Sequence, residues 1–145
     1  MRAVEQALAL CRDNGDQAGL ITSIETLGHI EADRINFRAS AEAYREALGL
    51  ARGSPDPLAL AHTERQLGDA LSRLETAYLE AVEFYEKHID GHELDCANAL
   101  AAVARLMDST NRAGAARIFW YRALGRYLDA GFQAGVTECN ARLGT

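Results

Sequence analysis

The chain has 145 residues, of which 48% are hydrophobic and 25% charged, a composition typical of folded globular proteins rather than disordered ones. The formal net charge of −6 argues against direct nucleic-acid binding, and no apolar run approaches the roughly 20 residues that a membrane-spanning helix needs. Both prolines lie within residues 55–57, so almost the whole chain is free to be helical. Because residues of high helix propensity dominate, the sequence predicts an all-α fold.

Cysteine usage and the first residues indicate a compartment. The three cysteines are an odd number without close spacing, which argues against a disulfide framework. Glu5 places a charge within the first turn, so this segment does not resemble a secretory signal peptide. These features predict a protein of the reducing cytoplasm.

Helix-breaking residues divide the first half of the chain. The first predicted helix ends at Asn14-Gly15, and the second fades at residues 33–36, where Asn36 can cap the third. Gly53 ends that third helix, and Ser54 is the predicted N-cap of a fourth, with Pro55 in its first turn.

The second half continues the same pattern. One predicted helix is centred on Leu71 and another on Tyr85, with a break after them at Asp90-Gly91. Asp90 and Glu93 have the spacing of a capping box. Further breaks are predicted at residues 109–111 and 129–131. The sequence therefore predicts about eight helices and no strand.

A short signature recurs along the chain. It starts as Ile24-x-x-Leu27-Gly28, and related segments occur at residues 64–68, 100–104 and 140–144. An aromatic residue follows in the next helix of the first three copies, as Tyr44, Tyr85 and Trp120. A small residue lies four positions before each aromatic, as Ser40, Ala81 and Ala116. Such a repeat lets two helices approach closely while the aromatic ring fills the gap between neighbours.

This pattern resembles the tetratricopeptide repeat (TPR), in particular its longer branch of about 40 residues, found in kinesin-light-chain-like proteins and bacterial regulators. The resemblance covers the whole chain as one TPR-like domain. Its parts are a half repeat at 1–15, repeats at 16–53, 54–90 and 91–130, and a half repeat at 131–145. It implies a right-handed superhelical stack of antiparallel helix pairs. The sequence departs from the family pattern at Ala104, where glycine is usual, and near Glu75-Thr76, where one residue is extra.

The resemblance also implies a concave groove lined by the first helix of each repeat. The residues expected to line that groove are Glu25, His29, Asp33, Arg65, Asp69, Arg73, Arg105 and Asp108. Acidic residues in the first repeat and arginines further along suit an extended peptide with a basic and an acidic portion. The alternative is a solvated helix face with internal ion pairs.

Two functions fit these observations. The favoured one is a non-enzymatic protein–protein interaction module that binds a peptide or protein segment in the groove. The other is the sensor or effector domain of a bacterial transcriptional or signalling regulator that responds to a small ligand or peptide. No P-loop, dinucleotide turn, metalloprotease or nucleophile-elbow motif is present, so the sequence predicts neither catalysis nor a cofactor.

Two clusters of titratable residues have spacings that suggest candidate sites. His88, His92 and Cys96 are four residues apart, but Asp90-Gly91 is expected to break the helix between them, which leaves no metal site. His29 lies at helical spacing from neighbouring acids, which could raise its basicity, although a groove-lining role is the simpler interpretation.

Self-association is predicted from apolar residues outside the repeat core. The aromatic run at residues 118–121 covers most of a helix circumference, so Phe84, Ile118 and Phe119 either pack on a neighbouring helix or form an association patch. Each terminal helix also carries an apolar stripe that a missing neighbour would have covered. The stripes are Val4, Ala7, Leu8 and Cys11 at one end, and Phe132, Val136, Cys139 and Leu143 at the other. They predict a homodimer through the terminal helices, or a piece of a longer solenoid.

Overall fold

A computed structural model describes residues 1–145 and contains helices and turns but no strand, which confirms the all-α prediction. The seven helices are α1 (Arg2–Asn14), α2 (Gln17–Asp33), α3 (Phe37–Ala51), α4 (Pro57–Lys87), α5 (Glu93–Ser109), α6 (Ala113–Ala130) and α7 (Gln133–Leu143). None of them combines the length and the apolar character needed to cross a bilayer.

Most predicted helix ends are confirmed, and the local chemistry explains them. Gly15 and Gly131 follow α1 and α6 in the left-handed conformation, both with φ of 67°, and their N–H groups bond back to the last turn. Because left-handed backbone carries no steric penalty at glycine, it closes a helix there. Asn36 caps α3, and its side chain accepts a hydrogen bond from the Ala39 N–H at 3.4 Å.

Two predicted caps are wrong. Helix α4 begins at Pro57 rather than near Pro55, because Asp56 accepts a hydrogen bond from the Leu58 N–H at 3.0 Å and takes the capping position predicted for Ser54. The capping box at Asp90 is absent as well. The N-cap of α5 is His92, which makes no side-chain capping bond to the backbone.

The prediction of eight helices is also wrong, because the segment predicted as a helix pair at 54–90 contains the single 31-residue helix α4. Its sequence has no proline or glycine between Asp69 and Lys87, so nothing in that stretch breaks the helix. The extra residue near Glu75-Thr76, which disturbs the repeat spacing, lies within this continuous helix.

The chain forms two compact units, which we call unit 1 (Met1–Leu74) and unit 2 (Glu75–Thr145). In unit 1, α2 and α3 are an antiparallel pair, and the Gln17 side chain at the start of α2 donates to the Leu50 carbonyl near the end of α3 at 3.0 Å. Leu8 of α1 packs on the same apolar cluster as Ile21 and Ile24 of α2.

In unit 2, α5 and α6 are the corresponding antiparallel pair. The core of this unit contains Leu100, Val103, Trp120 and Tyr127, all essentially inaccessible to solvent. Helix α7 adds Val136, Cys139 and Leu143 to the same cluster.

The apolar stripes of the two terminal helices, α1 and α7, are covered by other helices of the same unit. Leu8 at the N-terminal end and Leu143 at the C-terminal end are buried within their own units, where they pack on α2 and α6 respectively. Phe132 is the one member of the C-terminal stripe that stays exposed. The premise of the predicted terminal dimer, an uncovered apolar stripe at each end, is wrong because each stripe already has its partner helix.

Residues 17–67 align with residues 93–143 at a constant offset of 76. One pair of equivalent positions has a left-handed backbone that only one of its two residues tolerates well. Ile35 and Asn111 both occupy the turn after the first helix of the pair, with φ of 62° and 59°. Asparagine tolerates this left-handed conformation, whereas a β-branched residue is strained there. Ile35 is 76% exposed, so its side chain gains little from packing.

We expect Ile35→Asn to raise the free energy of unfolding by about 1 kcal/mol, because it relieves backbone strain without removing a buried contact. Asn111→Ile should lower it by a similar amount. Urea titration followed by circular dichroism measures both changes. A loss of stability in Ile35→Asn would show that the isoleucine makes a contact worth more than the strain.

Candidate functional site

Four of the eight predicted groove residues surround one cavity in unit 1, here called the α2–α4 pocket. They are His29 and Asp33 of α2, and Asp69 and Arg73 of α4. The cavity has a volume of about 190 Å³, and Ser40 and Gln66 add polar groups to its wall.

Tyr44 of α3 forms the inner wall of the pocket, together with Ala32 and Ala70. Its buried ring lies against Gly28, where a β-carbon would come within 2.8 Å of the ring, so glycine is required for this approach of α2 and α3. The Tyr44 hydroxyl and His29 Nδ1 are 3.0 Å apart and form a hydrogen bond. Burial, followed by the charge of Glu25, raises the pKa of Tyr44, so its hydroxyl stays protonated at neutral pH.

Ser40 is the most informative residue of the pocket. Its side chain is fully buried, at 0% exposure, and its hydroxyl has no hydrogen-bond partner. A buried polar group without a partner is rare, because it has lost water without gaining a replacement. Here the unsatisfied hydroxyl belongs to a residue that lines a cavity, which is where a ligand could satisfy it.

The charged side chains near the pocket differ in the partners that they contact. Asp69 pairs with Arg65 at 3.5 Å, although both side chains are largely exposed, so this pair is weak. The Arg73 guanidinium lies 6.0 Å from the centre of the Phe37 ring. Neither Asp33 nor Arg73 forms an ion pair.

Glu25, also predicted to line the groove, has a different role. Its Oε1 accepts a hydrogen bond of 2.6 Å from the buried Thr63 hydroxyl, which joins α2 to α4. Arg65 does not line the pocket and contributes through its pair with Asp69. Glu25 therefore supports the pocket from outside it, whereas the exposed pair formed by Arg65 adds little.

The last two predicted groove residues, Arg105 and Asp108, lie in unit 2 and are engaged in internal bonds. The Arg105 guanidinium donates two hydrogen bonds to Glu138 of α7, at 2.8 and 2.5 Å. Asp108 accepts from the Trp120 indole N–H at 2.8 Å, and Arg142 lies 3.9 Å from the same carboxylate. Nothing in the repeat signature marks Glu138 as a partner of Arg105, so the sequence alone does not reveal this pair.

The Glu138–Arg105 contact has a pH signature. The hydrogen bond from Arg105 holds the pKa of Glu138 below its ordinary value. A lowered carboxyl pKa stabilises the fold above the pKa of the unfolded state, and the stabilisation is lost as pH falls towards the folded value. We expect unfolding experiments between pH 7 and about 3 to show a smaller loss of stability in Glu138→Gln than in wild type. Equal losses would show that the ion pair does not contribute.

The remaining candidates for chemistry are the buried cysteines and the series His88, His92 and Cys96. Cys96 and Cys139 are buried, and burial raises the pKa of both thiols, which disfavours the reactive thiolate. Between α4 and α5, Gly91 adopts φ of 83°, so His88 and Cys96 do not share a helix. No group of three or more His, Cys, Asp or Glu side chains is arranged to hold a metal ion.

The predicted association patch is partly exposed. Phe84 and Ile118 are 55% and 61% exposed. Phe119 is half-buried against the core of unit 2, with the Arg122 guanidinium 5.2 Å from its ring centre. The His88 ring stacks on Phe84 with 4.6 Å between ring centres, and most of the Phe84 and Ile118 surface stays accessible, so their role in association stays a prediction.

Unit 2 has a cavity of its own, of about 270 Å³, between Glu86 and the outer face of α6. Arg122 in its wall already pairs with Glu86. No buried polar side chain of this cavity lacks a hydrogen-bond partner. It therefore lacks the unsatisfied group that distinguishes the α2–α4 pocket.

The α2–α4 pocket thus offers a ligand hydrogen-bonding groups, charges of both signs and an aromatic wall. No protein-family model and no curated protein sequence matches the chain. The chemistry of the pocket carries the functional proposal.

Proposed function

We propose that the chain is a non-enzymatic interaction module that binds a peptide or protein segment, with the α2–α4 pocket receiving one part of it. In this proposal the helix pairs are TPR-like and stack with the right-handed sense of that family. The antiparallel α2–α3 and α5–α6 pairs and the close approach of Gly28 to Tyr44 support the likeness. The proposed setting is the cytoplasm.

The single observation that carries the proposal is the buried hydroxyl of Ser40 in the wall of a polar cavity. A helix face that is merely solvated needs no cavity and leaves no polar group buried without a partner. The cavity is also lined by residues that the repeat pattern had placed in a groove, namely His29, Asp33, Asp69 and Arg73. Two independent features therefore indicate the same face of unit 1.

The volume of the cavity also favours a second candidate function. About 190 Å³ is below the range of roughly 300–1,000 Å³ typical of drug-sized ligands, and suits a single side chain or a small metabolite. The pocket could therefore belong to a sensor or effector domain of a bacterial regulator that responds to a small ligand. Binding of a peptide and binding of a free small molecule distinguish the two candidates.

Peptide selection tests the proposed function directly. Random peptides displayed on phage would be selected on the immobilised full chain, and their affinities measured by fluorescence anisotropy. We expect binding that weakens with added salt, because charged groups line the pocket. The double variant Asp33→Asn/Arg73→Gln should lose about ten-fold or more in affinity.

A matched control keeps the same change in charge. Asp13→Asn/Arg45→Gln removes one acid and one base at exposed positions of unit 1 outside the pocket, and should bind as wild type does. Equal affinity of the two double variants would contradict the proposal. So would a selection that yields no peptide with salt-dependent binding.

A further inference from the structure

The two units provide an internal comparison for the α2–α4 pocket. With the offset of 76 residues, Ser40 corresponds to Ala116 and Tyr44 to Trp120, at the same places in the two helix pairs. In unit 2 this corner is closed, because Trp120 donates to Asp108 and Arg142 approaches the same carboxylate.

Unit 1 has neither the acid nor the arginine of that corner. Ala32 stands where unit 2 has Asp108, and Gln66 where it has Arg142. The corner is a cavity instead, and both of these residues line it. The same backbone arrangement is therefore filled by its own side chains in one unit and left open in the other.

Packing does not require the hydroxyl of Ser40. Ala116 is fully buried at the equivalent position, so a methyl group is sufficient where these helices cross. The hydroxyl of Ser40 adds an unsatisfied polar group, which destabilises the fold unless something bonds to it. A trapped water could satisfy the hydroxyl, whereas a charged ligand would also pair with Asp33 and Arg73, which are exposed.

The unpaired charges of the pocket have opposite signs: Asp33 lies at the end of α2, and the Arg73 side chain, from within α4, comes near the first residue of α3. Asp33 is the last residue of α2, where the helix dipole adds negative potential that favours a cation. Arg73 is close to Phe37, the first residue of α3, where the dipole favours an anion, and Ser40 lies one turn further along that helix. The pocket therefore offers a carboxylate at Asp33 and a guanidinium at Arg73, with the carboxylate of Asp69 one turn before Arg73 on α4.

We propose that the α2–α4 pocket binds an ammonium group and a carboxylate group presented together by one ligand. The ammonium faces Asp33, and the carboxylate faces Arg73 and accepts a hydrogen bond from Ser40. A free amino acid has this chemistry, and so do neighbouring lysine and glutamate side chains of a peptide. The inference rests on the proposed binding role of the pocket and specifies which charges the ligand carries.

Isothermal titration calorimetry on the full chain tests the inference with defined probes. One probe is free L-glutamine, whose only charges are its α-ammonium and α-carboxylate groups. Another is a Gly-Lys-Glu-Gly peptide with both ends blocked. Two blocked control peptides, Gly-Lys-Gln-Gly and Gly-Gln-Glu-Gly, each carry one of the two charges. We expect a zwitterionic probe to bind at least about ten-fold more tightly than either control.

The variants separate ligand binding from folding. Ser40→Ala introduces the residue that unit 2 has, so it should keep or raise the melting temperature while weakening binding about ten-fold. Ala116→Ser places a hydroxyl at the equivalent position of unit 2 and should leave binding unchanged. Unaltered binding in Ser40→Ala, or equal affinity for single-charge and zwitterionic probes, would overturn the inference.

A free amino acid and a peptide, the two possible sources of this ligand chemistry, give different outcomes in the titrations. Binding of the Lys-Glu peptide supports both the inference and the proposed peptide function. Binding of L-glutamine alone supports the inference, contradicts the peptide function and favours the sensor candidate. Failure of both zwitterions to bind at millimolar concentration overturns the inference. Peptides from the display selection that still bound at the pocket would then leave the proposed function standing.

Discussion

Trp120→Ala should lower the free energy of unfolding by about 3–5 kcal/mol, the largest single-residue effect that we expect in this chain. The indole is 1% exposed and lies in the core of unit 2 among residues of α5, α6 and α7. Its removal leaves a cavity that the surrounding helices can fill only in part. It also deprives Asp108 of the indole N–H, which donates to it at 2.8 Å.

Trp120→Phe separates the two contributions. Phenylalanine keeps much of the apolar volume but cannot donate to Asp108, so we expect a loss of about 1–3 kcal/mol. Because Trp120 is the only tryptophan, urea unfolding should be followed by circular dichroism in all variants. A loss below about 1 kcal/mol in Trp120→Ala would mean that the ring does not occupy the core position assigned to it.

Gly135→Ala should also destabilise the protein, by about 1–3 kcal/mol, although alanine is the better helix former. A β-carbon on Gly135 would lie 2.4 Å from a carbon of the Tyr127 ring, too close for the two to coexist without movement. The ring cannot yield easily, because it is buried and its hydroxyl donates to Asn98 at 2.8 Å.

Gly125→Ala is the matched control in the same unit. Gly125 lies within α6, and a β-carbon there would meet nothing within 4 Å. We therefore expect Gly125→Ala to stabilise the protein by about 0.5–1 kcal/mol, through the reduced entropy of the unfolded chain. In the double variant Gly135→Ala/Tyr127→Ala, the loss should be smaller than the sum of the two single losses, because alanine lacks the ring carbons that the new β-carbon would meet. Additive losses would contradict the assigned contact.

Much of the fold could be predicted because its signals are local. Gly15, Asn36 and Gly131 act on their own helix ends, and the structure places helix boundaries at each of them. The Leu27-Gly28 signature also had a physical basis, since Gly28 faces the buried Tyr44 ring. Gly68, the equivalent glycine of the second copy, is exposed and faces nothing, so the same letters carry no packing role there.

The failures come from interactions that sequence spacing does not encode. Residues 57–87 could form a helix pair only if some residue broke the helix between its two halves. The repeat similarity of this segment is weak and contains no such residue, and α4 is continuous. The sequence predicted Arg105 as a groove residue together with Arg65, and left an internal ion pair as the alternative. The partner of Arg105, Glu138, lies 33 residues away on α7, and no local pattern reveals that pairing.

The sequence predicted some of the residues that line the pocket but not the cavity itself. His29, Asp33, Asp69 and Arg73 were placed on one face by the repeat pattern, and the structure brings them around one cavity. The sequence marks Ser40 only as a small residue at a helix crossing. Its importance depends on whether its hydroxyl finds a partner, which is a property of the three-dimensional packing.

The most direct test of the binding claim is a titration of the isotope-labelled full chain with the blocked Gly-Lys-Glu-Gly peptide, followed by ¹H–¹⁵N correlation spectra. The account predicts shift changes that concentrate at residues 29–44 and 66–73 and that need about ten-fold more peptide in Ser40→Ala. Shift changes centred on the closed corner of unit 2, around Trp120 and Asp108, would contradict it, and so would spectra that do not change at all.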